Sequence, residues 1–428
     1  MKQTMPTHTA LPKRSLFIAS FSTIVEWYDF TLYLYFATVI SRVFFGDNPK
    51  SLLITLTGFA VSYLMRPLGA VFFGHLGDKF GRKPVLLTTM TMMSVAMFIT
   101  ALLPTFNEIG IWSGVIMLLL RCIMAFSVGG EYTSVVAYLM EGAKPTNRGF
   151  IASLASAFSE IGGLLAVLVS ALTVHFLGDN LLTWGWRIPF IVGGIMAMTV
   201  FVARHTMAES PEFLAYLEAK TPKKSPILTT FSQHKPAILK TFAISALGSI
   251  TYYVGITFVP VFLTNTASFS EKTALWLSSI ASFSVIIITP MIGVLSDKIG
   301  RKPVLIGACV LSAILPILLF QIMPLNTTAA LIGSVILACM AGAVSAVATS
   351  ATSEQFPINV RLSGLALGVT SATAIFGGLT PLLAQVFTEI TGKSYASGVM
   401  IMVVAVCVLP VFLTLKETAP KFQPNHNA

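Results

Sequence analysis

The chain has 428 residues, of which 55% are hydrophobic and only 10% are charged, and its mean hydropathy is +0.82. Soluble domains carry about 25% charged residues, so this composition excludes a water-soluble globular protein and points to a membrane protein with many spans. The net charge of +10 would suit a nucleic-acid binder if it were clustered on one face, but it is spread between apolar segments, which excludes that class.

A spanning helix needs about 20 mainly apolar residues. Twelve such segments are predicted in chain order: 16–40, 52–74, 84–104, 110–139, 149–175, 187–205, 240–264, 273–293, 303–323, 328–351, 362–388 and 396–415. The stretch 206–239 differs. It holds Pro211, Pro222, Pro226 and Pro236 with Lys220, Lys223 and Lys224, and reads as a linker with a short surface helix near Glu209–Lys220. The polar, basic start MKQTMPTHTALPKR runs into the first apolar segment without a small-residue cleavage site, so a retained first helix is expected. With the N-terminus inside, twenty Lys and Arg lie on the inner side. Only Arg42, Lys50, Arg187, Lys272 and Lys393 lie outside. Both termini are therefore expected in the cytoplasm. Cys122, Cys309, Cys339 and Cys407 all fall in apolar runs, without redox or metal-ligand spacing.

The two halves repeat. GHLGDKFGRKP at 74–84 and GVLSDKIGRKP at 293–303 share the pattern GxLxDKxGRKP, 219 residues apart. EGAKPTNR at 141–148 and EQFPINVR at 354–361 each set Glu seven residues before Arg. The expected fold is an all-α polytopic membrane protein of about twelve transmembrane helices in two pseudo-symmetric six-helix bundles. The predicted boundaries are 1–205 for the first bundle, 206–239 for a cytoplasmic linker, and 240–428 for the second bundle and a short tail.

Ionisable groups deep in a bilayer cost about 2.5–3.5 kcal/mol each on insertion scales, and so are seldom idle. Here they are Glu26, Asp29, Arg66, Arg121, Glu131 and Glu160, all in the first half. The repeat offset sets uncharged residues opposite all six. The first bundle is thus expected to carry the ion chemistry, and the second to supply polar and aromatic contacts. By depth, Glu26, Asp29, Arg66 and Glu131 are predicted to form one proton-coupling network. Arg121 and Glu160 are expected nearer a substrate, with Tyr33, Tyr252 and Tyr253 as further substrate contacts. No histidine lies deep in a helix, so the predicted proton carriers are carboxylates. A purely structural Glu–Arg pair remains the competing reading for any single pair.

The repeated loop resembles the signature of the major facilitator superfamily between helices 2 and 3, and again between 8 and 9. Within it, Glu26-Trp27-Tyr28-Asp29-Phe30, Arg66-Pro67-Leu68-Gly69, Gly129-Gly130-Glu131-Tyr132, Trp184–Phe190 and Glu209–Phe213 are similar to motifs of the metabolite:proton symporters. Ala125 stands where that family often has Gly, and the tail after Lys416 lacks a heptad repeat. The resemblance implies alternating access and proton-coupled import of a small organic acid or zwitterion. It implies a bacterial cytoplasmic-membrane location, no cofactor beyond the proton, no metal, and a bilayer as the one macroscopic partner of a monomer. Gating is expected from Asp78, Arg82, Glu141 and Arg148 in the first half, and from Asp297, Arg301, Glu354 and Arg361 in the second. The alternatives are a proton-driven exporter and a non-transporting nutrient receptor. SEIGGLLAVL on helix 5 lacks the Gly-Pro usual in such exporters, and the tail KETAPKFQPNHNA offers no signalling domain. No nucleophile–base set or P-loop suggests an enzyme.

Overall fold

A computed structural model describes residues 13–80, 82–129, 148–206, 231–356, 364–419 and 422. The described residues are mostly helical, joined by short loops, and contain no strand. In chain order, α1 comprises Lys13–Tyr35 and Ala37–Phe45, and α2 comprises Ser51–Tyr63 and Met65–Phe80. Helices α3 (Arg82–Leu102), α4 (Ile111–Val128), α5 (Arg148–Leu177) and α6 (Arg187–His205, after a π-turn at Leu181–Gly185) follow. The second half opens with α7, which runs Lys235–Tyr252, a π-turn at Tyr253–Thr257, then Val259–Asn265. Then come α8 (Glu271–Ile299), α9 (Arg301–Ile322) and α10 (Thr327–Ser353). Helix α11 has π-turns at Ala366–Thr370 and Ala374–Gly378 before Thr380–Thr391, and α12 is Ala396–Leu413. Ten of these are long and apolar enough to cross a membrane on their own, while α3 offers the shorter apolar stretch Leu87–Leu102.

The same packing occurs twice. Helix α1 packs on α5, α2 on α4 and α3 on α6; correspondingly α7 packs on α11, α8 on α10 and α9 on α12. The halves meet along two symmetry-related seams, α5 against α8 and α2 against α11. Outward faces carry Leu68, Val71, Phe72, Ile99, Leu119, Ile195, Ile287, Ile314 and Leu318, an apolar surface suited to lipid.

Lipid tails are as apolar as Leu, so burial alone does not drive helices together in a bilayer, and close backbone approach matters more. Gly69 and Gly129 provide it: a Cβ on Gly69 would stand 1.9 Å from the Phe126 carbonyl oxygen, and one on Gly129 would stand 2.2 Å from that of Arg66. This brings α2 against α4 near Arg66. Gly162 likewise lets α5 meet α1, where a Cβ would stand 2.3 Å from the Ile24 carbonyl oxygen.

Prolines act in two ways. Pro260 and Pro381 open the helical segments that follow π-turns, where the Phe258 N–H bonds back to the Tyr253 carbonyl at 2.9 Å. Pro290 and Pro316 lie within continuous helices. A proline removes a single bond of the ladder, and neighbouring helices support the rest.

Candidate functional site

Pro67 has no N–H to offer the Tyr63 carbonyl, and α2 breaks at Leu64. Tyr63 and Arg66 flank that break. The Arg66 guanidinium reaches across to α1, donating to Glu26 Oε1 at 2.5 Å, and its other arm donates to the Tyr63 hydroxyl at 2.5 Å. It lies over the Phe30 ring, 4.1 Å from the centroid. The Tyr63 hydroxyl also meets that of Tyr253 on α7 at 2.5 Å. One continuous hydrogen-bonded chain thus runs Glu26–Arg66–Tyr63–Tyr253, from the first half into the second.

A second ion pair is sealed more deeply. Arg121 donates to Asp29 Oδ2 at 2.7 Å, and each side chain is 1% exposed. Its guanidinium also approaches the carbonyls of Asp29 and Phe30 at 3.3 and 3.4 Å. Phe30, Tyr33 and Phe59 wall it in, with ring centroids 4.8, 5.0 and 6.0 Å away. Among the described residues, Asp29 Oδ1 and Arg121 Nε have no hydrogen-bond partner. A buried pair left with unused valences is a poor structural rivet but suits a group that changes partners.

The predicted single network is therefore divided. Glu26 takes Arg66, and Asp29 takes Arg121. Of the two residues expected nearer a substrate, Glu160 lines the cavity described next and Arg121 does not: Arg121 turns to α1, because α4 presents it to Asp29 and to an aromatic wall. Tyr33 also faces inward, donating to the Thr55 carbonyl at 3.0 Å, and does not line the cavity described next.

A cavity of about 160 Å³ lies between the two halves. Trp27, Arg66, Ser159 and Glu160 line it from the first half; Ser249, Tyr252, Tyr253, Thr349 and Thr373 line it from the second. It sits towards the end of the molecule that carries the 293–303 signature, since α10 contributes Thr349 and Thr352 just before Ser353. Towards the opposite end the halves are joined in successive layers: Tyr63 to Tyr253, Tyr35 to Ser282 at 3.4 Å, and Arg42 to Glu271. Glu160, 4% exposed, forms no ion pair among the described residues.

At the signature end, Gly300 adopts φ +106°, and a Cβ there would stand 2.4 Å from Glu417 Oε2. Both features require glycine. Glu417 accepts from the N–H groups of Arg301 and Lys302 at 2.8 and 3.1 Å, closing the exposed start of α9. Arg301, 1% exposed, pairs with Asp297 at 2.8 Å and with Glu354 at 3.4 Å. The second oxygen of Asp297 accepts from the Phe150 N–H of α5 at 2.9 Å, across the seam between halves. Glu131, Glu141 and Arg361 lie outside the described residues, as do the side chains of Asp78, Arg82 and Arg148.

Sequence reasoning missed Tyr63, Ser282 and Glu417. Tyr63 had a signal, three residues before Arg66 and so on the same helical face. Ser282 and Glu417 had none, because their roles depend on helices that meet only after folding.

Residues 15–225 match the family described as "Sugar (and other) transporter", and residues 241–428 match "Major Facilitator Superfamily". The chain is 31% identical to the proline/betaine transporter of Escherichia coli (strain K12), over 95% of this chain and 84% of that protein. It is 33% identical to the alpha-ketoglutarate permease of the same strain, over 86% and 85%. It is 31% identical to the citrate-proton symporter of Salmonella typhi, over 90% and 89%. In fold it resembles the proton:xylose symporter XylE, with a TM-score of 0.74 at 19% identity over 95% of this chain and 96% of that one. Twelve helices packed as a repeated set of six, the duplicated signature loop and relatives matched over most of their length lead to one conclusion: the chain belongs to the major facilitator superfamily, among its metabolite:proton symporters, and is an integral membrane transporter, not an enzyme.

Proposed function

We propose that the protein is a proton-coupled secondary active symporter that imports a small organic acid or zwitterionic metabolite by alternating access. The observation that carries this reading is the pair of buried ion pairs, Glu26–Arg66 and Asp29–Arg121, in the half facing a cavity whose other wall is uncharged among the described residues. A substrate group that draws Arg66 or Arg121 away leaves a carboxylate that must take a proton to stay buried. The proton is then committed only when substrate is present. Protons are the coupling ion and no cofactor is needed. The relatives named as a citrate-proton symporter and a proline/betaine transporter support both the coupling and the substrate range.

Alternating access would use the two ends unequally. The Tyr63–Tyr253, Tyr35–Ser282 and Arg42–Glu271 layers close one end, and the cavity faces the other. The excess of Lys and Arg in the signature-side loops supports placing that end and both termini in the cytoplasm of a bacterial cell, with 206–239 as the linker between bundles 1–205 and 240–428. Asp297, Arg301 and Glu354 are then cytoplasmic gate residues, and the bond from the Phe150 N–H to Asp297 must part for the halves to separate. Asp78, Arg82, Glu141, Arg148 and Arg361 are proposed for the same gate from the repeat. Glu131 is proposed for the coupling network on its place in the sequence, and Tyr33 and Arg121 act one layer behind the substrate. The protein works as a monomer in lipid. One proton moving down about 100 mV supplies about 2.3 kcal/mol, which sustains about a fiftyfold gradient of a neutral solute.

The test uses purified protein in liposomes with a trapped pH dye. Citrate, 2-oxoglutarate, proline and betaines are added outside, one at a time. Internal acidification with one of them, absent in Asp29→Asn liposomes, is the expected result. Proton exit driven by solute moving the other way would replace import with export.

A further inference from the structure

Resting on the transport reading, the charges around the cavity say which kind of substrate it takes. Among the described residues that line it, the charged side chains are Arg66 and Glu160. Arg66 is neutralised by Glu26 at 2.5 Å. Asp29 and Arg121 cancel each other behind their aromatic wall, away from the cavity. That leaves Glu160 as the one ionisable side chain on the described wall without an ion pair, a buried carboxyl that carries its charge best with a cation set against it.

Its surroundings are shaped for a cation. The Tyr252 ring lines the cavity with Trp27, the two rings meeting edge to face at 5.1 Å between centroids. The Tyr252 hydroxyl is buried and has no hydrogen-bond partner among the described residues. It lies against α5 one turn beyond Glu160, where a Cβ on Gly163 would stand 3.2 Å from it. Around the rest of the cavity are neutral hydroxyls, Ser249 and Thr373 among them, 3.3 Å apart. Carboxylate and aromatic faces together form a subsite for a substituted ammonium group. A substrate carrying only carboxylates would bring negative charge against Glu160 with no described free cation to offset it.

We propose that Glu160, with Tyr252 and Trp27, binds the cationic group of the substrate, so that the protein takes compact zwitterions with a substituted ammonium and rejects polycarboxylates. The carboxylate end of such a molecule is left to Arg66 and the hydroxyl wall.

Equilibrium binding to purified protein in detergent, without any proton gradient, tests this. The probes are glycine betaine, proline and choline against citrate and 2-oxoglutarate. At least one ammonium compound should bind saturably, and Glu160→Gln should weaken it about tenfold or more. Glu160→Asp, which keeps the charge, should retain part of the affinity. Tyr252→Ala should weaken binding of a quaternary ammonium severalfold, whereas Tyr252→Phe should stay within about twofold, because the ring face is what the cation meets. Gel filtration of each variant confirms folding. Saturable binding of citrate or 2-oxoglutarate, no binding of any ammonium compound, or an unchanged affinity in folded Glu160→Gln would each overturn the proposal. The two readings fail separately. Ammonium binding through Glu160 without proton movement in liposomes sinks symport and keeps the subsite. Acidification driven by citrate and indifferent to Glu160→Gln does the reverse.

Discussion

At the scale of single residues, the sealed Asp29–Arg121 pair has to be separated into what it does for folding and what it does for coupling. Removing one partner of a buried pair leaves an uncompensated charge and destabilises by about 3–5 kcal/mol. Asp29→Asn should therefore lower the thermal unfolding midpoint in detergent. The double variant Asp29→Asn/Arg121→Gln should recover most of that loss, since neutral partners of similar shape replace the pair. Proton-driven accumulation should remain absent in both. Recovery of accumulation along with stability in the double variant would make the pair a structural feature alone. Tyr63 makes a different prediction. Its hydroxyl joins Arg66 to Tyr253, and the bond that crosses between the halves, hydroxyl to hydroxyl, is worth about 0.5–1.5 kcal/mol. Tyr63→Phe should weaken closure of the far end severalfold. With the native cysteines replaced, a cysteine at Ser282 should then react faster with a membrane-impermeant thiol reagent than it does beside an intact Tyr63.

At the scale of helices, most of the architecture was legible and most of the pairing was not. The spans follow from apolar length alone, and α1, α5, α8 and α10 begin and end within a few residues of the predicted segments. The deviations have causes. Helix α2 runs on through the signature loop to Phe80, since GHLGDKF contains no proline and its two glycines weaken a helix without ending it, and α7 begins at Lys235, earlier than its apolar run, because Pro236 suits a first helical turn. Depth along each helix was also readable from residue count, which is why Glu26 and Arg66 were placed together correctly. Rotation about the helix axis was not readable. Arg121 has the depth to face a substrate, but its azimuth is set by how α4 packs on α1 and α2, and that depends on Gly69 and Gly129 letting backbones touch. The same glycines give a graded prediction. Gly69→Ala and Gly129→Ala place a Cβ against backbone and should sharply reduce folded protein recovered after gel filtration. Gly307→Ala, which meets nothing within 4 Å, should be recovered like wild type.

At the scale of the whole molecule, the two ends are held by bonds of different kinds. The far end is closed by tyrosine hydroxyls, Tyr35 on Ser282 and an ion pair, Arg42–Glu271, whose arginine is about a third exposed. The signature end is held by a network in which Glu417 ties the chain's last described segment to the start of α9, Thr418 donates to Glu354 at 2.6 Å, and Asp297 reaches α5. An exposed ion pair weakens with ionic strength, while buried hydrogen bonds do not. Raising salt from about 0.05 to 0.5 M should therefore shift the protein away from the state with a closed far end, by a modest factor, in the same Ser282 cysteine assay. Glu417→Ala, which leaves the start of α9 uncapped, should destabilise by about 1 kcal/mol and show it in the thermal midpoint.

The aromatic wall around Asp29 and Arg121 has an electrical consequence. A carrier that lets protons through without cargo acts as a shunt across the membrane and runs down the voltage that drives it. Phe30, Tyr33 and Phe59 crowd the guanidinium and leave each side chain of the pair 1% exposed, which is expected to keep out a file of water molecules along which protons would hop. Replacing Phe59 with serine opens a wet path to the pair without touching either charge. Such a protein should still bind and exchange substrate while passing a steady current with no substrate present, and cells making it would run down their own membrane potential.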